Sequence, residues 1–184
     1  MNALGTAVWV TAAAGIGGTG LGGGAACLLR RNSDRAVSLL LSFSAGVMAA
    51  VVCSGLLAEA MAQGRLAAAA AAVLLGFGAT AGLNVLLAER REGEHLILAG
   101  VVMAAAIALH NVPEGMVIGA SFAAGQPGSG WLMAAVIGLH NIPEGMAVAA
   151  PLTAGGTRRR QAAALAALTG APTVLGAMLG FWMG

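Results

Sequence analysis

The chain has 184 residues, of which 59% are hydrophobic and only 9% charged, and its formal net charge is +2. That balance excludes an ordinary soluble domain. The apolar residues fill whole runs of about 20, enough to cross a bilayer core of roughly 30 Å. No run has the alternation of an outer-membrane barrel. The predicted class is therefore all-α, a polytopic membrane helix bundle.

The placement of the charges says more than their sum. All nine basic residues are arginines: Arg30, Arg31, Arg35, Arg65, Arg90, Arg91, Arg158, Arg159 and Arg160. They lie in short connectors rather than on one basic face, so no nucleic-acid partner is expected. Cys27 and Cys53 stand alone in apolar segments and form no CxxC pair. They read as small buried hydrophobes.

Six spans follow in chain order. Met1 to Leu29 is uncharged and carries the run Gly15-Ile16-Gly17-Gly18-Thr19-Gly20-Leu21-Gly22-Gly23-Gly24. Within a membrane, small residues let helices approach closely, so this run reads as a packing face. A phosphate-cradling glycine loop is the rival reading, but no Lys followed by Ser or Thr comes in the required place. A cleaved signal peptide is not expected, since no positive region precedes the apolar run. After Arg30–Arg35 come the second span, Ala36 to Ala58, and the third, Leu66 to Ala88. The connector at 89–95 holds His95, which reads as a solvated residue. The fourth span, Leu96 to about Ala124, and the fifth, Trp131 to about Ala154, are joined by a Gly- and Pro-containing turn. Arg158–Arg160 precede the sixth, Gln161 to Gly184.

Connectors one, three and five hold eight of the arginines and connectors two and four hold one. The positive-inside rule then puts the odd connectors in the cytoplasm and the N-terminus outside. Trp9, Trp131 and Trp182 all fall near the outer interface, where tryptophan is enriched.

The fourth and fifth spans carry the same motif: His110-Asn111-Val112-Pro113-Glu114-Gly115-Met116, then His140-Asn141-Ile142-Pro143-Glu144-Gly145-Met146. An ionisable group inside an apolar run costs several kcal/mol unless paired or hydrated, so each copy marks a functional candidate. His and Glu at i and i+4 share a helix face. Each proline lacks an N–H and clashes with the carbonyl four residues back, predicting a kinked, interrupted helix in both spans. Such interruptions in corresponding spans point to a transporter's binding site. The helices run in opposite directions, so a pseudo-two-fold would bring His110 toward Glu144 and His140 toward Glu114. Imidazole nitrogens with carboxylate and amide oxygens suit divalent transition metals such as zinc, iron, cobalt or manganese. Two glutamates balance one such ion. A structural His–Glu pair and a proton relay are the rival readings of these residues. A metalloprotease is not supported, for the motif lacks the second histidine and the general base.

With these residues the chain resembles the ZIP (zinc- and iron-regulated transporter-like) metal transporters, most of all bacterial members. The resemblance rests on HNVPEG at 110–115 and HNIPEG at 140–145, with Ala45-Gly46-Val47-Met48 and Thr169-Gly170-Ala171-Pro172-Thr173-Val174-Leu175-Gly176-Ala177 as further matches. It implies divalent metal, zinc above all with iron, manganese, cobalt or cadmium as alternatives, moving toward the cytoplasm through a binuclear site. The implied ligands are His110, Asn111, Glu114, His140, Asn141 and Glu144, with Met48 facing the pathway. Many relatives have a glutamate where Thr173 stands, which leaves the second metal position one anion short. Relatives usually have eight spans, so residues 1–184 read as one transmembrane metal-transport domain lacking the last two. The expected partners are the metal ion and the lipid bilayer of a cell membrane, the bacterial cytoplasmic membrane, with a homodimer compatible with the family. The metal is cargo and no fixed cofactor is expected; no enzymatic activity is expected either, since no nucleophile–base set accompanies the ligands. The alternative is a membrane metal-binding or sensing protein that does not transport.

Overall fold

A computed structural model describes residues 2–28, 34–51, 53, 57–62, 64–87, 92–125 and 127–184. The first span is α1 (Ala3–Ala12), a π-helical turn (Ala13–Gly17) and α2 (Gly18–Leu28). Asn2 starts it by accepting a hydrogen bond from the Gly5 N–H at 2.8 Å, which satisfies one of the free donors of a helix start. Then come α3 (Asp34–Val51), α4 (Leu57–Ala62), α5 (Leu66–Leu87), α6 (Glu92–Ala123), α7 (Pro127–Ala154), α8 (Arg159–Thr169) and α9 (Ala171–Met183). Among the described residues there is no strand.

Among the described residues, four stretches are long and apolar enough to cross a membrane: Ala3–Leu28, Glu94–Ala123, Pro127–Ala154 and Arg159–Met183. α3 and α5 stand where the second and third spans are expected. The molecule is a helical membrane bundle. Gly125 (φ 69°) turns the chain between α6 and α7, and Gly156 (φ 102°) turns it before α8. Both angles are ones that residues with a side chain rarely adopt.

The two ends of the bundle differ. At one end Trp9 and Trp131 line a common groove, Trp131 packs edge-on against Phe122, and Gly184 abuts Ala120 beside Trp182. At the other end Cys27 donates its thiol hydrogen to the Arg159 carbonyl at 3.2 Å. One core cluster, with Ala7, Val10, Ile118, Phe122 and Ala134, lies toward the tryptophans. A second, with Ile107, Val148, Leu152, Ala162 and Ala166, lies toward the arginines. The duplicated motifs fall between the two.

α6 packs on α9, and α7 on α2, by the same device. A methyl group on Gly115 would land on the Thr173 carbonyl of α9, and one on Gly145 would land on the Thr19 carbonyl of α2. In return, Gly176 backs onto the Val112 carbonyl and Gly22 onto the Ile142 carbonyl. The register offset is the same in both pairs, so α2–α7 and α9–α6 are two copies of one helix-pair arrangement. The glycine run is the packing face that its composition predicts.

α3 packs against α7, and α5 mainly against α4. Val73, Leu74, Leu75 and Phe77 of α5 are all exposed. The expectation that both cysteines are buried fails here. Cys27 is buried in the dense part of the bundle, but Cys53 is exposed, because it lies in the thinly packed stretch after α3. His95 is half-buried within the first turns of α6 rather than in a solvated connector.

Gly145→Ala forces a methyl against backbone, whereas Gly46→Ala on α3 meets nothing within 4 Å. The first change is expected to cost about 1–3 kcal/mol, in line with overpacking elsewhere. The second should be neutral or slightly stabilising through helix propensity. Thermal unfolding of the two variants in detergent, followed by tryptophan fluorescence, checks this contrast.

Candidate metal centre

His110 and Glu114 sit one turn apart on α6, and His140 and Glu144 one turn apart on α7. The fold turns all four inward to a single point. Within each helix Nε2 lies 3.4 Å (His110–Glu114) and 3.2 Å (His140–Glu144) from Oε1. Across the pair the distances are 3.9 Å for His110–Glu144 and 3.6 Å for His140–Glu114. The crossed pairing that the antiparallel motifs predict is present, and the intrahelical pairs are closer still.

One donor atom from each residue lies within 4.8 Å of all the others. Four ligands held at about 2.1 Å in a tetrahedron stand roughly 3.4 Å apart, so these nitrogen–oxygen separations bracket what one small divalent ion requires. Glu144 is 1% exposed and Glu114 13%, too enclosed for water to carry their charge. Two carboxylates in such surroundings need compensating positive charge nearby.

The asparagines lie next to these histidines in sequence and are buried. The Asn111 side-chain NH₂ donates to the Thr169 carbonyl at 2.7 Å, and that of Asn141 to the Ala14 carbonyl at 3.2 Å. Fixing the nitrogen fixes the other half of each amide. Oδ1 of Asn111 and of Asn141 is buried with no hydrogen-bond partner, as are Oε2 of both glutamates, Nδ1 of His140 and Oγ1 of Thr173. Unpaired buried polar atoms are few in native proteins, and here they gather in the two motifs and on the α9 segment packed against them.

The carbonyls those asparagines use come from breaks in the first and sixth spans. Ala14 lies in the π-helical turn, where one extra residue per turn disturbs the regular hydrogen-bond ladder. Thr169 ends α8, and the chain steps through Gly170 into α9 with Pro172 in its first turn. The breaks lie back to back, since Gly170 packs directly on Gly15. The predicted interruption at Pro113 and Pro143 is corrected: α6 and α7 remain helical straight through both prolines. Neighbouring helices hold the turns together where the prolines remove a hydrogen bond. Sequence reasoning missed the real breaks, although Gly15-Ile16-Gly17-Gly18 and Thr169-Gly170-Ala171-Pro172 were signals for them.

Of the sequence-predicted site residues, His110, Glu114, His140 and Glu144 meet at one point. Asn111 and Asn141 flank them, each buried and tied to a broken span. Met48 is on α3, and its side chain lies outside the described residues.

Compared with known families, residues 87–184 match the model described as ZIP zinc transporter. That match covers more than half of the chain and includes both motifs. No curated protein matches the chain.

Cobalt(II), which reports its ligand geometry in its visible spectrum, is expected to bind the purified protein and give the intense bands of a near-tetrahedral site. Glu144→Gln keeps the shape but removes a charge, and should weaken binding by at least about 10–100-fold, the loss seen even for outer-shell partners. Spectrophotometric titration of both proteins measures the difference.

Proposed function

Since the chain belongs to the ZIP zinc transporter family, we propose that it carries a divalent transition metal toward the cytoplasm through a site between α6 and α7, the fourth and fifth spans. The observation that carries this reading is the convergence of two imidazoles and two carboxylates, within 4.8 Å, in the middle of a membrane bundle. The ion is substrate, bound in transit.

In this reading His110 and His140 offer Nε2, and Glu114 and Glu144 offer Oε1 while supplying the charge that balances a dication. Such a nitrogen and oxygen set accepts zinc, and also iron, cobalt, manganese or cadmium. The unpaired Oε2 atoms, with Oδ1 of Asn111 and Asn141 and Oγ1 of Thr173, give a second, oxygen-only position that the carboxylates would bridge. That position has no anion of its own, because Thr173 is neutral. A second ion there would need hydroxide or another anion, so the first position is the one expected to fill at low metal concentration. Met48 on α3 would line the approach. Partial ligation shared with water keeps binding weak enough for release.

Alternating exposure of one mid-membrane site to each side moves the ion. The arginine-bearing end faces the cytoplasm in this scheme, where a positive-inside bias places it. A second copy would complete a homodimer in a bacterial cytoplasmic membrane.

Reconstituted into liposomes with a metal-sensitive dye inside, the protein is expected to give uptake that Glu114→Ala and Glu144→Ala each abolish. Uptake unchanged in both variants removes the permease reading. Metal binding by the intact protein with no flux selects instead a membrane protein that binds or senses metal.

A further inference from the structure

Buried threonines in this bundle mostly satisfy themselves locally. Thr11, Thr153 and Thr169 each donate the hydroxyl hydrogen to a carbonyl three or four residues back in the same helix, the ordinary solution for a threonine inside a helix. Thr19 does the same toward the Gly15 carbonyl at 2.9 Å, but its hydroxyl also lies 3.3 Å from the Ala167 carbonyl of the sixth span. A hydroxyl has one hydrogen to give, so the two carbonyls share it. Thr19 is wholly buried.

The two acceptors are not arbitrary places on the backbone. Gly15 lies in the π-helical turn, next to Ala14, whose carbonyl takes the hydrogen bond from Asn141. Ala167 lies in the last turn of α8, two residues before Thr169, whose carbonyl takes the hydrogen bond from Asn111. The Gly170 N–H closes that turn by donating to the same Ala167 carbonyl at 3.1 Å. At helix ends and π turns the regular ladder no longer fixes where each carbonyl points. The contact of Gly15 with Gly170 brings the two breaks close. Packing of bare backbone sets a separation, whereas a hydrogen bond also sets a direction.

The internal repeat gives Thr19 a twin. Gly145 packs on the Thr19 carbonyl as Gly115 packs on the Thr173 carbonyl, so the two threonines are counterparts. Both are fully buried. Thr173 Oγ1 has no hydrogen-bond partner, while Thr19 Oγ1 is spent on main-chain carbonyls from both broken spans. The fold puts one residue type to two uses.

We propose that Thr19 is a positioning residue of the metal centre. Its hydroxyl ties the π turn of the first span to the end of α8, which aims the Ala14 and Thr169 carbonyls and, through them, the amides of Asn141 and Asn111. Thr19 acts through the asparagines and not by touching the ion. The proposal rests on the metal-binding reading of the centre, and the experiment separates the two.

The purified protein and four variants are titrated with cobalt(II), read from the visible bands, with helical circular dichroism as the check on folding. Thr19→Val keeps nearly the same shape without the hydroxyl, and Thr19→Ser and Thr19→Ala differ from each other only in the hydroxyl. Thr11→Val removes an equally buried hydroxyl of the same span that bonds only within its own helix. Thr19→Val and Thr19→Ala are expected to bind cobalt at least about tenfold more weakly, the lower end of losses for groups that orient ligands. At saturation their bands should also shift or lose intensity, which a loss of stability alone would not cause. Thr19→Ser and Thr11→Val should match the unaltered protein in affinity and spectrum. Where Thr19→Val does not fold, the Ser and Ala pair makes the same comparison. Unchanged binding and bands in Thr19→Val, equal losses in Thr19→Ser and Thr19→Ala, or an equal loss in Thr11→Val each overturn the role of Thr19 and leave the metal centre standing. No cobalt binding by the unaltered protein overturns the metal reading, and this proposal with it.

Discussion

Two carboxylates have to be kept inside a bundle of apolar membrane helices, and the rest of the architecture answers to that demand. Glu144 is almost wholly enclosed and Glu114 nearly so. In a low-dielectric interior an unbalanced charge costs far more than any single packing contact returns. The imidazoles of His110 and His140 stand within 4 Å of both carboxylates, and neither motif holds a lysine or an arginine. The helices that carry the carboxylates must also hold position without polar glue of their own. Glycine-to-carbonyl contacts on both flanks provide that, bringing backbones as near as chain geometry allows.

The internal repeat divides the labour. α6 and α7 contribute side chains. The first and sixth spans contribute main-chain carbonyls, released where their helices break, and these orient the asparagine amides. The cluster is thus built from matched halves that run in opposite directions through the bundle. Among the described residues the symmetry breaks at the outer edge, where Phe43 and Val47 of α3 lie beside His140 while His110 is the more exposed of the two histidines.

Much of this was legible in the chain. The helical membrane class follows from apolar runs and the confinement of arginine to connectors. The meeting of His110, Glu114, His140 and Glu144 follows from an i, i+4 pair repeated on antiparallel spans. The glycine run announced a packing face. The breaks were not located correctly, and the reason is physical. Proline removes one hydrogen bond locally, a deficit that packing on α9 and α2 absorbs, whereas the π turn at Ala13–Gly17 exists alongside a long-range bond to Asn141. Local sequence carries no record of a partner more than a hundred residues away. Cys53 was misjudged for a related reason, since apolar composition does not tell burial in protein from exposure to lipid.

The π turn also fixes how tolerant the first span is to changes in length. It sets the angular phase between α1 and α2, so that the first half seats Ala7 and Val10 in the tryptophan-side core while the second half presents Gly18 and Gly22 to α7. Losing one residue there would swing everything downstream by about a quarter-turn and aim the glycine row at lipid. A one-residue deletion within α5, whose main contact among the described residues is the short α4, would displace no such seam there. Indel tolerance along this chain should therefore be sharply uneven, lowest in an uncharged glycine-rich stretch that on composition alone looks the most forgiving.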